Sequence, residues 1–270
     1  MPHRRSGSYG ESRLRVLRVL RKGDRHDPKD LTIALRFEGD VDQMVPGEAI
    51  KNLVHRVARE HDAPAIESLG LAICARILEQ HRSIGLARLE ITEQPWARLE
   101  AGGKAQGEAF APAGVERRTA SVTSNGARIS VGAGLENLVL LKTTGFASDA
   151  RGRAAQDGAA DGLQRLFIAT LAARWAYSSG DVAFEPCRLG VRAAIIETFA
   201  WQKARSVQEA LSAIADVVLA TYQEIGEVTL SLQERPYRPV DLLELSLEGD
   251  VLFVAHDEPV GVAEITVSRE

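Results

Sequence analysis

The segment Leu135-Glu-Asn-Leu-Val-Leu-Leu141 marks the point at which the order of predicted elements starts again. Its apolar residues, bounded upstream by Gly132 and Gly134, predict a β-strand. The chain before this stretch and the chain after it both predict strands, then two helices, then strands. We therefore predict a strand-strand-helix-helix-strand-strand unit that occurs twice, over residues 8–134 and 135–270.

In the first half, alternation of apolar and polar residues predicts two strands, Arg13–Val19 and Leu31–Phe37. The pattern places Arg13 and Arg15 on one face and Leu14, Val16 and Val19 on the other, and Arg18 is grouped with the first face. Apolar residues that recur at every third and fourth position then predict two amphipathic helices. The helices are expected over Glu48–Glu60 and Pro64–His81, and the strands that follow over Leu86–Thr92, Trp96–Leu99, Arg117–Val122 and Ala127–Val131.

The second half repeats this order. Strands are predicted over Leu135–Leu141 and Leu166–Tyr177, with a long loop, Ser148–Gly162, between them. Loops of this length within a compact domain are often functional. Helices over Arg188–Ala204 and Val207–Tyr222 and strands over Val228–Leu232, Val251–Ala255 and Val262–Val267 complete the unit. The fold class is therefore α+β, with an antiparallel sheet and the helices on its outer face.

Composition excludes several classes of protein. The 270 residues are 45% hydrophobic and 26% charged, which excludes disordered and collagen-like chains. With 33 basic and 37 acidic residues the net charge is −4, so we expect no nucleic-acid partner. We also expect no membrane association and a cytoplasmic location, because no long apolar run or secretory leader is present. Cys74 and Cys187 lie in apolar contexts without ligand spacing, which predicts buried free thiols.

Motifs spread over nearly the whole chain give it a family resemblance. They include Trp96-x-Arg98, Trp175-x-Tyr177, Ser206-Val-Gln208 and Pro259-x-Gly261. The longer matches are Tyr9-Gly-Glu-Ser-Arg-Leu-Arg-Val16, Gly39-Asp40, Ile50-Lys-Asn52, Glu116-x-Arg118-Thr119, Gly134-Leu-Glu-Asn-Leu-Val-Leu-Leu-Lys-Thr-Thr144 and Arg165-Leu-Phe-Ile-Ala-Thr170. In this order the segments resemble those of the uricase (urate oxidase) family.

The resemblance implies the tunnelling fold (T-fold), in which two chains close a β-barrel and two barrels stack into a homotetramer. It implies purine metabolism, a small planar heterocycle and dioxygen as reactants, and no metal or organic cofactor. Sites of the family lie between chains, so residues of one site would meet only in the oligomer. A paralogous uricase-like chain is an alternative partner.

The resemblance also assigns substrate-binding residues. Arg165 and Gln208 correspond to the pair that clamps urate, and Val207 precedes the second of them. A guanidinium fork and an amide can hold the polar edges of a planar purine dione by paired hydrogen bonds. The stacking phenylalanine of the family falls on Ser148, and Phe146 could replace it if the loop shifts.

The catalytic residues of the family are replaced. A tyrosine-glycine-lysine has become Tyr9-Gly10-Glu11, and a threonine-aspartate-threonine has become Gly47-Glu48-Ala49 after a shorter loop. A proline-asparagine-lysine-histidine has become Gln233-Glu-Arg-Pro236, and a histidine-rich segment has become Gln106-Gly-Glu-Ala-Phe110. The lysine, threonine and histidine thought to relay a proton are therefore absent, and that relay cannot operate.

Three glutamates stand near these replacements: Glu11, Glu48 and Glu234. Together they could transfer protons, bind a cationic or amino-bearing heterocycle, or hold a divalent ion, although no metal site is assigned because no histidine maps nearby. They could equally be solvated glutamates without a joint role.

Three functions remain open. The chain is a divergent enzyme acting on a purine-like or pteridine-like heterocycle, with or without dioxygen; or it is a non-catalytic homologue that binds a heterocycle or pairs with a paralogue; or it is a urate oxidase with relocated catalytic groups. The first is the main hypothesis, and it makes the chain a uricase-like oxidoreductase.

Overall fold

The protein, described from a computed structural model, has the expected α+β architecture. The structure describes residues 6–143, 166–202, 206–240, 251–256 and 261–269. Its helices are α1 (Gly47–Glu60), α2 (Ile66–Gln80), α3 (Phe184–Trp201) and α4 (Val207–Thr221). Its strands are β1 (Ser6–Lys22), β2 (Arg25–Asp40), β3 (Ile84–Gln94), β4 (Trp96–Ala101), β5 (Lys104–Pro112), β6 (Arg117–Ser124), β7 (Ile129–Lys142), β8 (Phe167–Tyr177), β9 (Ile225–Glu234), β10 (Tyr237–Pro239), β11 (Phe253–Ala255) and β12 (Val262–Ser268).

Contacts divide the chain into two compact units. The first comprises Met1–Glu136 and Trp175–Arg188, and the second comprises Asn137–Arg174 and Leu189–Glu270. These units are defined by contacts alone. A T-fold unit repeated over 8–134 and 135–270 therefore stays a prediction.

In the first unit, antiparallel strands follow the order β1-β2-β3-β6-β7, and α2 packs on β3 and β6. The predicted alternation of β2 is confirmed, because Leu31, Ile33, Leu35 and Phe37 are all buried. Gly70 of α2 lets this helix approach the sheet closely: a β-carbon there would lie 2.9 Å from Val122 Cγ2 and 3.1 Å from Leu89 Cδ2. The core thus lies between the sheet and the helices.

Ionic groups are buried on this helix-facing side. Arg118 of β6 donates to Glu67 in the first turn of α2 at 2.5 Å and to Glu185 in the first turn of α3 at 2.7 Å. Lys29 of β2 pairs with Glu93 of β3 at 2.9 Å, and Glu93 also lies 3.5 Å from Arg118. Arg118 therefore joins the sheet to the starts of two helices.

In the second unit, the strands follow the order β7-β8-β9-β12, and α4 packs on β9 and β12. Lys142 near the end of β7 donates to the carbonyl of Gln202, just after α3, and lies 5.3 Å from the centre of the Phe199 ring. Burial lowers the pKa of Lys142. This lysine of the motif Gly134–Thr144 therefore connects a strand to a helix.

Three local expectations are wrong. The strands predicted over Ala127–Val131 and Leu135–Leu141 are one continuous strand, β7, which begins at Ile129, because Gly132 and Gly134 keep extended backbone and do not end it. The chain after Gly103 forms β5, which pairs with β4 as a hairpin, where no strand was expected. Helix α3 begins at Phe184 rather than Arg188, since Pro186 is compatible with a first helical turn.

Arg18 lies on the opposite face of β1 from the one expected. Its guanidinium donates to the carbonyl oxygens of Ala58 and His61, at the C-terminal end of α1, so it faces the helices and not solvent. Cationic groups near a helix C-terminus interact favourably with its unpaired carbonyls. Burial and the charge of Arg18 lower the pKa of His61.

The strands β1 and β7, which begin the two predicted units, share one local feature. Each contains a non-glycine residue of positive φ, Arg13 (63°) in β1 and Asn137 (60°) in β7. In β7 the buried side chains are Val131, Ala133 and Leu135 before Asn137, and Leu138 after it, so the buried face shifts by one residue. Each of these two strands therefore has one residue of positive φ within its length.

Two further expectations concern the whole chain. Cys74 and Cys187 are both buried thiols outside any disulfide, as predicted. In the part of the chain that the structure describes, no helix is both long and apolar enough to cross a membrane. The predicted loop Ser148–Gly162 lies outside the described residues.

Candidate functional site

The position of Glu11 depends on a β-bulge in β1. Glu11 pairs with Leu35 and Leu14 pairs with Ile33, so Ser12 and Arg13 together oppose one residue of β2. Strict alternation would put Glu11 on the exposed face with Arg13 and Arg15. The extra residue shifts the pattern, and Glu11 shares the helix-facing side with Leu35, which is buried.

The two residues before Glu11 fix the local backbone. The Tyr9 hydroxyl accepts a hydrogen bond from the Val45 amide at 3.3 Å, which ties β1 to the segment just before α1. Gly10 lies so close to β2 that a β-carbon would collide with the backbone of Leu35 and Arg36. Each residue of the motif Tyr9-Gly10-Glu11 therefore has a structural role, and the side chain of Glu11 points toward α1.

Glu11 lies at the start of α1. Its Oε1 occupies the space that a β-carbon on Gly47, the first residue of this helix, would fill. Its Oε2 lies 3.9 Å from Nζ of Lys51, and the side chains of Glu11 and Lys51 are 28% and 39% exposed. One carboxylate thus contacts the first helical residue and a lysine one turn further along.

The N-terminus of α1 suits a carboxylate. The residue before the helix, Pro46, makes no side-chain cap, and the first amide groups of any helix carry a partial positive charge. Glu48, the second residue of α1, has an exposed side chain. The structure therefore places Glu11 and Glu48 on neighbouring elements of the first unit, with Glu11 the more buried of the two.

Sequence reasoning did not select Lys51 as a site residue. Lys51 stands in the motif Ile50-Lys-Asn52, and the spacing of four residues from Gly47 places both on one side of a helix. This spacing could have identified Lys51 from the sequence. The contact with Glu11 could not be found in this way, because it depends on the bulge in β1.

In the second unit, Val207 and Gln208 are the first two residues of α4. Ser206 caps this helix, since its hydroxyl accepts a hydrogen bond from the Glu209 amide at 3.2 Å. The side chain of Val207 is half-buried and that of Gln208 is exposed. Gln208 therefore projects from a firmly capped helix start, with its amide accessible to a ligand.

Glu234 ends β9 in the second unit. Its amide donates to the Gly261 carbonyl at 3.0 Å, and its carboxylate carbon lies 3.5 Å from the place of a β-carbon on Gly261. The next residue, Arg235, donates through its amide to Ile168 O at 2.8 Å and through Nε to Thr170 Oγ1 at 2.9 Å. These bonds anchor the end of β9 beside the beginning of β8.

Arg165, Phe146 and Ser148 lie outside the described residues. In the sequence, Arg165 directly precedes Leu166, the residue before β8. The substrate-binding and catalytic assignments of the individual residues stay predictions.

Two cavities of the first unit lie apart from these groups. The larger, of about 360 Å³, is open and is bordered by Arg15, Asp30 and Trp96 among others. The smaller, of about 80 Å³, is bordered by Asn52, Arg56 and Arg76. Neither is lined by Glu11, Glu48 or Lys51.

Comparisons with known proteins agree over nearly the whole chain. The model of the family described as Uricase matches residues 26–123 and 131–264. A uricase of Danio rerio is 29% identical over 97% of this chain and 93% of its own length, and one of Dictyostelium discoideum is 27% identical over 97% and 96%.

Solved structures give the same result. The crystal structure of uricase from Arthrobacter globiformis matches with a TM-score of 0.88 at 25% identity, covering 100% of this chain and 96% of that chain. A uricase structure from Bacillus fastidious, at 18% identity and a TM-score of 0.80, shares the fold. The expected tunnelling fold is confirmed. The chain belongs to the uricase family.

Proposed function

We propose that this chain is a cofactor-independent enzyme of the urate oxidase type that acts on urate or a related purine-like heterocycle, with Glu11 as proton acceptor. Membership of the uricase family supports an oxidoreductase of this type. The observation that carries the proposal is the contact of the Glu11 carboxylate with Gly47 at the start of α1. These are the positions where the family resemblance places the lysine and threonine of the relay.

The proton step needs a base beside a ring N–H group. The Glu11 carboxylate takes this proton and becomes a neutral carboxylic acid, while the ring becomes an electron-rich anion. A carboxylate can perform this step within hydrogen-bond reach of the ring nitrogen. Glu48 and Glu234 are the further acidic groups proposed to exchange protons with solvent or substrate.

Substrate orientation is assigned to the clamp. Arg165 and Gln208 hold the polar edges of the ring, Val207 contacts it, and Phe146 or Ser148 lies against its face. The exposed amide of Gln208 at a capped helix start supports this role. Because Lys51 lies beside Glu11, the site is not uniformly acidic.

A second candidate is urate oxidase activity in its ordinary form, with relocated groups. In that reaction urate, dioxygen and water give 5-hydroxyisourate and hydrogen peroxide. The observation that favours it is the ammonium group of Lys51 near Glu11, because this lysine of the motif Ile50-Lys-Asn52 lies beside the position of the family's relay lysine.

The test is oxygen uptake and loss of urate absorbance with the purified protein. Urate consumption that disappears in Arg165→Ala and falls at least about 100-fold in Glu11→Gln would support the proposal. Urate consumption that is unchanged in Glu11→Gln would show that another group is the base.

A triple variant separates the remaining alternatives. If the unmodified protein is inactive on urate and Glu11→Lys, Gly47→Thr, Pro236→His gains activity, the clamp is intact and the chemistry has changed. If both are inactive but anaerobic urate binding is measurable, the chain is a binding homologue. Sedimentation would test the proposed homotetramer against pairing with a paralogous chain.

A further inference from the structure

We propose that Lys51 is a positioning residue: it holds one oxygen of the Glu11 carboxylate so that the other stays over Gly47, where the proton is exchanged with substrate. The inference rests on the proposed function, because it concerns the same carboxylate. It adds Lys51 to the proposed site and explains why position 47 is a glycine.

The two carboxylate oxygens of Glu11 have different neighbours. Oε1 lies over Gly47, while Oε2 lies 3.9 Å from Lys51 Nζ. Gly47 and Lys51 are four residues apart on α1, so both present the same side of the helix to β1. The helix therefore contacts Glu11 at two points, and these points define the direction of the carboxylate.

Gly47 is required for this orientation. A β-carbon at position 47 would take the place of Oε1, and the carboxylate would have to move away from the start of the helix. The displaced atom is the tip of a flexible side chain, so the fold can tolerate the change. The threonine that the family has at this point could not coexist with Glu11 in its present position.

Stability alone gives little reason for the ion pair. Both side chains are partly exposed, and exposed pairs of this kind contribute little to the stability of a fold. Fixing the direction of a reactive carboxylate, in contrast, has a large effect on rate, because small displacements of a reacting group slow catalysis strongly.

The test compares four variants in the oxygen-uptake assay with urate. Lys51→Met removes the charge and keeps the length of the side chain, Lys51→Arg keeps the charge, and Gly47→Ala displaces the carboxylate. Lys104→Met, at an exposed position of β5, is the matched control. We expect kcat to fall about tenfold or more in Lys51→Met and Gly47→Ala, with KM changed by less than about twofold. Lys51→Arg should stay within about threefold of the unmodified protein, as should Lys104→Met.

Equal kcat in Lys51→Met and the unmodified protein would overturn the inference. So would a loss in Lys51→Arg as large as in Lys51→Met, because the ammonium would then act other than by holding the carboxylate. Crystal structures of the unmodified protein and Lys51→Met give a readout that does not need turnover. If Glu11 keeps its place over Gly47 without Lys51, the positioning role is wrong.

Failure of the proposed function has a different signature. If neither the unmodified protein nor Glu11→Gln consumes urate, the proposed function is contradicted. The crystal structures then still decide whether Lys51 holds Glu11.

Discussion

Arg118 Nη2 donates a hydrogen bond of 2.5 Å to Glu67 Oε2, and both side chains are almost completely buried, with 6% and 0% of their surface exposed. Burial opposes the charge on Arg118, but the carboxylates of Glu67, Glu185 and Glu93 outweigh it and raise the pKa of Arg118. The guanidinium therefore stays charged, and it connects β6 to the first turns of α2 and α3.

Loss of this cation should destabilise the first unit strongly. In Arg118→Met the carboxylate of Glu67 would stay buried without its partner, and removal of one member of a buried pair costs about 3–5 kcal/mol. Urea unfolding measures the difference. Arg128→Met, at an exposed position, should stay within about 0.5 kcal/mol of the unmodified protein. Equal effects of the two substitutions would contradict a structural role for Arg118.

The pH dependence of stability should reveal Glu67. Burial raises its pKa from the ordinary value of 4.5, although the charge of Arg118 opposes the shift. The folded chain then binds this proton more tightly than the unfolded chain, so the contribution to stability is present below the unfolded pKa and is lost as the pH rises through the folded pKa. In Glu67→Gln the side chain at position 67 has no carboxyl proton to lose, so this pH-dependent loss of stability is absent. Its stability relative to the unmodified protein should therefore increase as the pH rises above about 4.5, measured by urea unfolding over a pH series.

Glu185 is the matched comparison because its shift has the opposite sign. Burial acts to raise its pKa, but the hydrogen bond from Arg188 and the charges of Arg118 and Arg188 outweigh it and lower the pKa. Its contribution to stability is present above the unfolded pKa and is lost as the pH falls through the folded pKa. The deficit of Glu185→Gln should therefore shrink as the pH falls below about 4.5. Parallel slopes for the two variants would refute the assignment.

The approach of α2 to the sheet should not tolerate a side chain at position 70. In Gly70→Val the new atoms would meet Val122 and Leu89, which are buried and cannot move into free space. We expect a loss of about 3 kcal/mol, typical of overpacking in a core. Gly85→Val is the control, since Gly85 is exposed and the nearest atom to its β-carbon, the carbonyl oxygen of Glu38, would be 3.7 Å away. Thermal unfolding of the two variants should differ clearly.

Cys74 should be unreactive in the folded protein. Burial raises the pKa of its thiol to about 12, and the thiolate is the form that attacks disulfide reagents. A reagent such as dithiobis-nitrobenzoate at about pH 8 should therefore label Cys74 only after unfolding. Cys74→Ala identifies the contribution of this thiol. Fast labelling of Cys74 without denaturant would show that the helix α2 opens readily.

Much of the fold could be predicted from local sequence. Strand β2 and helices α1, α2 and α4 follow from patterns of apolar residues, because burial on one side of a strand or helix imposes its own period. The prediction failed where the local signal is ambiguous. Gly132 and Gly134 suggest a turn but stand inside β7, and β5 has few β-branched residues to indicate a strand.

The candidate site was predictable in part. Glu11 was selected from its place in a motif, and the structure gives it specific contacts with Gly47 and Lys51. Lys51 was missed, because its importance depends on its contact with Glu11 in β1, a strand distant in sequence. Arg165, Phe146 and Ser148 stay predictions from the resemblance.

Local sequence was sufficient to predict the two pairs of helices, most of the strands around them and the family, because these depend on the period of apolar residues and on short motifs. The directions of the side chains in the candidate site follow only from how the strands and helices pack. One extra residue in β1, with Arg13 at a φ of 63°, turns Glu11 from the exposed face toward α1. Local alternation cannot reveal such a shift, because the side on which a strand residue lies depends on its register with the neighbouring strand.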